Sequence, residues 1–85
     1  MPTISMFYGI VITMYYNDHM PPHFHAKYQG QEAVFSFDGE KLKGQMPKKQ
    51  QQLIIAWANI HKDELIANWD LARYKEQLYR IQPLQ

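Results

Sequence analysis

The hydrophobic pattern of this chain changes period once, near Pro47, and that change limits the possible folds more than any other feature. Upstream, apolar residues alternate over short stretches broken by turn residues, as half-buried strands require. Downstream they recur at i, i+4 and i+7, the spacing of an amphipathic helix. Strands first and helices last is the pattern of an α+β fold, with helices gathered on one face of an antiparallel sheet. The expectation is a small antiparallel sheet of about four strands from the N-terminal half, packed against two C-terminal helices. At 85 residues this is one domain, 1–85. A chain of that size buries a thin core, so a homodimer or a partner chain is the expected source of further burial.

The elements follow from local chemistry. Phe7 to Tyr16 is β-branched and aromatic and reads as one central strand, apolar on both faces. Asn17-Asp18 ends it, and Pro21-Pro22 cannot donate to a ladder. His23 to Tyr28 alternates, and a two-residue loop at Gln29-Gly30 leads into a second alternating run, Glu32 to Phe37. That loop sets Lys27 against Glu32 as a cross-strand ion pair, His25 against Val34, and His23 against Ser36. Phe24, Ala26, Ala33 and Phe35 then share one face, and the histidines share the opposite, solvated one. Asp38-Gly39 predicts a type I′ hairpin turn into a short return strand, Glu40 to Gly44. Pro47 suits the first position of a helix running to His61, with Leu53, Ile54, Trp57 and Ile60 inward. Leu65, Trp69 and Ala72 mark a second helix from Asp63 to about Lys75. The apolar stripe rotates between the two, which places a break near His61-Lys62. The tail, 78–85, is expected to be extended.

Composition narrows the function. Nine basic residues against eight acidic ones leave a formal charge of +1, without the bulk charge of a nucleic-acid binder. The absence of Cys excludes disulfides, zinc–thiolate sites and cysteine nucleophiles. No basic region opens the chain and no apolar run reaches the roughly 20 residues of a membrane helix, so a cytoplasmic protein without membrane partners is expected.

The chemistry concentrates in one stretch, Asn17-Asp18-His19-Met20-Pro21-Pro22-His23-Phe24-His25. On a strand, His23 and His25 point the same way, and Asp18 and His19 approach from the preceding turn. Such a group can supply a general acid and base, since imidazole titrates near neutral pH. It can also offer His23 and His25 to a divalent metal, although no cofactor is required by the pattern. The bland alternative is a solvated H-x-H face entered through a rigid proline pair. Tyr16 adjoins the cluster, and Lys41, Lys43, Lys48 and Lys49 form a basic patch suited to RNA or an acidic partner, or simply to water. Trp57 and Trp69 read as core.

The segments Met1-Pro2-Thr3-Ile4-Ser5, Tyr8-Gly9-Ile10-Val11-Ile12, Met14 to His19 and Pro21 to Ala26 together resemble the family called domain of unknown function 4160. The likeness continues through Glu32-Ala33, Leu53 to Trp57, His61, Glu64-Leu65, Asn68-Trp69 and Leu71-Ala72. The resemblance implies the toxin component of a bacterial type II toxin–antitoxin module, and the acid–base reading of the cluster makes RNA or translation its expected target. It also implies a cognate antitoxin of the family called domain of unknown function 2442. Asp18, His19, His23 and His25 are the catalytic candidates it carries over. Two positions depart from the family pattern: Met6 and Thr13 stand where basic residues are expected, which weakens an electrostatic grip on RNA. A non-enzymatic interaction module and a small metal-binding module are the competing readings.

Overall fold

A computed structural model describes residues 2–85. Five strands, β1 (Thr3–Phe7), β2 (Ile10–Thr13), β3 (His23–Tyr28), β4 (Gln31–Ser36) and β5 (Lys41–Gly44), precede two helices, α1 (Lys48–Ile60) and α2 (Lys62–Arg73). The strands form one antiparallel meander in the order β1-β2-β3-β4-β5. The α+β reading therefore holds, with one strand more than the sequence suggested.

The extra strand comes from a turn inside the supposed Phe7–Tyr16 strand. Tyr8 and Gly9 both adopt positive φ, 50° and 80°, so the chain folds back and Phe7 faces Ile10. A two-residue loop with both φ values positive matches the right-handed twist of the strands it joins. Gln29-Gly30 makes the second such loop, at 46° and 82°, and the predicted register holds throughout: Lys27 with Glu32, His25 with Val34, His23 with Ser36. At Asp38-Gly39 only Gly39 is positive, and Gly39 N–H donates to Ser36 O at 3.0 Å. The turn is centred on Phe37–Asp38, with glycine at its exit, rather than type I′.

Phe7, Phe24, Phe35 and Phe37 join Ile10, Ile12 and Ala26 on the face covered by the helices. Trp57 of α1 lies 5.4 Å from Phe7 and 5.6 Å from Phe24, and Trp69 of α2 lies 6.0 Å from Phe37. The break between the helices falls at His61, with φ −111° and ψ 26°. It turns Leu65, Trp69 and Ala72 into the core but leaves Ile60, expected inside, 66% exposed. Two polar contacts hold the irregular tail. The side chain of buried Asn68 makes two bonds with the Tyr79 backbone, and the Trp57 indole N–H donates to Gln82 O at 2.9 Å. Ile81 N–H also donates to Ile4 O at 2.7 Å, which covers part of the β1 edge. No helix among the described residues is long and apolar enough to cross a membrane.

Candidate functional site

With both helices on one face, the other face of the sheet carries the cross-strand row Thr13, His25, Val34, Lys43. The segment between β2 and β3 folds over one end of this face. Asn17 takes positive φ and its N–H donates to Ala72 O at 3.0 Å, anchoring the turn to the end of α2. Asp18 is thereby carried over the start of β3, where the strand alternation aims His23 and His25 to the same side.

Asp18 is the hub. Its Oδ1 accepts the His19 backbone N–H at 2.8 Å and lies 2.9 Å from the His19 ring; its Oδ2 lies 2.8 Å from His23 Nε2 and 3.6 Å from His25 Nε2. Partial burial pushes the carboxyl up, but bonds from the His19 N–H and the His23 ring outweigh it and hold Asp18 below its ordinary range. Asp18 is therefore an anion at neutral pH.

His23 is not on a solvated surface. It is only 2% exposed, enclosed by Asp18, the Pro21 carbonyl, the His19 ring at 4.9 Å and the Trp69 indole at 5.3 Å. A carbonyl can only accept, so the 2.7 Å contact fixes Nδ1–H of His23 as donor to Pro21 O. Its Nε2 is left for Asp18.

His25 differs. Its side chain is 14% exposed, and both ring nitrogens are buried without a hydrogen-bond partner. Desolvation lowers its pKa from the ordinary value; attraction to Asp18 offsets only part of that, leaving a neutral imidazole at pH 7. Tyr15 packs edge-on against it at 4.3 Å. Thr13, directly across the strand, also buries a hydroxyl with no partner. A shallow groove leads away from His25 along Glu32, Val34, Lys43 and Gly44.

Of the residues singled out from sequence, Asp18, His19, His23 and His25 converge. Tyr16 is exposed, and it is Tyr15 that touches the cluster. Lys41, Lys43, Lys48 and Lys49 are all exposed, but only Lys43 lines the groove beside His25. Glu32 was expected to pair with Lys27; its carboxylate instead lies 3.5 Å from His25 Nδ1, on the diagonal. Thr13, Tyr15, Glu32 and Trp69 were not assigned to the site from sequence. For Thr13 and Glu32 a signal existed, since the register places one opposite His25 and the other two residues from Val34.

The family model described as Domain of unknown function (DUF4160) matches residues 9–70, which include the whole cluster and both of its supporting strands. The chain belongs to that family. No curated protein and no solved structure matches it. The shared segment of this DUF4160 chain begins at the Gly9 turn and ends beside Trp69, so it encloses Tyr15, Asp18, His19, Pro21, Glu32 and Trp69, which surround His23 and His25.

Proposed function

We propose that this DUF4160 chain is the toxin component of a bacterial two-protein module, acting on RNA through the Asp18–His23–His25 cluster. The observation that carries this is His25. A neutral imidazole without a partner at either nitrogen does nothing for stability, yet it stands beside a carboxylate at the head of an open groove. Both nitrogens are closed off in the free chain, so proton transfer from a ribose hydroxyl requires a substrate in the groove to displace the Tyr15 packing over His25; Lys43 lines that groove as a cation for the adjoining phosphate. His19, exposed and held by Asp18, is the second imidazole within reach of a substrate in the same place.

The cognate antitoxin, of the family called domain of unknown function 2442, is assigned in this proposal to the sheet face that the helices leave bare. Met6 on β1 is 53% exposed there, and a chain laid across that face covers the groove and His25 together. Inhibition by occlusion follows. The test is inducible expression in a bacterial host, with and without the neighbouring gene's product. Wild type should arrest growth, the partner should relieve it, and His25→Ala should fold yet arrest nothing. A folded wild type that leaves growth untouched overturns the proposal, as does a His25→Ala variant that arrests growth fully.

A further inference from the structure

We propose that Asp18, His23 and His25 form a binding site for one divalent transition-metal ion of the zinc type, held by Asp18 Oδ2 and the two Nε2 atoms. Asp18 Oδ2 lies 2.8 Å from His23 Nε2 and 3.6 Å from His25 Nε2, and the three side chains each bring a ligand atom within 4.8 Å of the others. Two features beyond proximity point to a cation.

The first is the hydrogen-bond inventory of His23. Its Nδ1–H is committed to Pro21 O, so its neutral ring presents a lone pair at Nε2, 2.8 Å from a carboxylate oxygen. Two electron-rich atoms do not settle at that separation unaided. Either a second proton or a metal ion must lie between them. The second feature is His25. Its Nε2 points at the same carboxylate oxygen from 3.6 Å, too far for a good hydrogen bond, and it has no other partner. One extra proton satisfies His23 and leaves His25 stranded; one cation satisfies all three groups.

The outer contacts fit as well. Metal-bound histidine normally turns its other ring N–H toward a carbonyl or carboxylate, which orients the ring and raises its basicity. His23 Nδ1 donates to the Pro21 carbonyl, and the Glu32 carboxylate stands 3.5 Å from His25 Nδ1, not bonded to it but on the side such an outer contact takes. Both rings are thus presented Nε2-first to Asp18. Tyr15 and Trp69 pack against them and keep water from most sides. Two imidazoles and one carboxylate suit zinc, nickel or cobalt, whereas magnesium and calcium prefer oxygen cages. Three protein ligands leave one coordination position for water or another small ligand, as in metal sites that act on substrates rather than brace a fold.

The site goes beyond the functional reading: an ion on His25 Nε2 takes up the lone pair that reading gives to proton transfer, so binding is measured in vitro without a growth readout and either can fail alone. Zinc chloride is titrated calorimetrically into the purified, chelator-stripped full chain, with magnesium chloride as a parallel arm. One equivalent of zinc should bind and raise the melting temperature, with no magnesium binding at the same concentrations. His25→Gln should abolish binding, and Glu32→Gln should weaken it about 10–100-fold while the fold is kept. His61→Ala, which removes the remaining His–acid pair, should bind as wild type. Because His23 is buried and its replacement can unfold the chain, cobalt(II) absorption on wild type and His25→Gln provides an independent view of the ligand set. Absence of zinc binding by the folded wild type overturns the proposal. So does binding that survives His25→Gln, binding that is lost with His61→Ala, or a magnesium affinity equal to that for zinc.

Discussion

At the scale of single residues, His23 and His25 look equivalent in sequence, two positions apart on one strand, yet their surroundings divide their roles. His23 is buried and bonded at both nitrogens, so His23→Ala strips a partner from Asp18 and opens a cavity beside Trp69. Urea denaturation should show a loss of about 1–3 kcal/mol. His25 has no bonds to lose, and His25→Ala should cost about 0.5 kcal/mol or less by the same measurement. Equal losses at the two positions contradict this division. Acid should also destabilise the metal-free chain. Asp18 and His25 both bind protons less readily in the folded state than in the unfolded state. The unfolded state therefore takes up protons first as pH falls, and stability drops with it. For His25 the loss begins as pH passes downward through about 6.5, the ordinary imidazole value; for Asp18 it begins below about 3.9, its unfolded value. Between pH 8 and pH 5 the melting temperature of wild type should drop relative to that of His25→Ala, the difference being the His25 contribution.

The β3–β4 hairpin was readable to the residue because alternation and a Gln29-Gly30 loop pointed to one register, and a slip would have buried Lys27. The β1–β2 hairpin was missed because Tyr8 is an unusual residue at positive φ and the run around it is apolar on both sides. Burial of His23 was missed for a different reason. Strand periodicity assigns a face, but Trp69 and the Asp18–Pro22 segment, which cover that face locally, come from elsewhere in the chain. The helices carry their own prediction. The first turn of α1 has no acidic residue and no side-chain cap, and Lys48 and Lys49 oppose its dipole. Lys48→Glu should stabilise the chain by about 0.3–1 kcal/mol in low salt, and added salt should shrink the gain. No change, or a loss, in thermal denaturation contradicts this.

For the whole molecule, the tail acts as a strap across the core. Asn68 holds the Tyr79 backbone, Trp57 holds Gln82, and Ile81 both packs in the core and pairs with Ile4. Asn68→Ala should cost about 1–3 kcal/mol, since it removes two hydrogen bonds from a buried position and leaves the Tyr79 backbone without either partner. Hydrogen exchange at Tyr79 and Ile81 should quicken, while amides of β3 and β4 stay protected. A strap of this kind keeps the helices on one face and the other face bare, which is how an 85-residue chain displays a polar cluster without opening its core.

Asp18 Oδ2 and the Nε2 atoms of His23 and His25 face one another, and one ion between them engages all three. The most direct test is an imidazole nitrogen–proton correlation spectrum of the uniformly labelled full chain, before and after one equivalent of zinc. His23 and His25 should keep Nδ1 protonated, and both Nε2 signals should shift together on adding zinc, with His61 unmoved. Shifts confined to His19 or His61, or a His23 ring protonated at Nε2 alone, would contradict it.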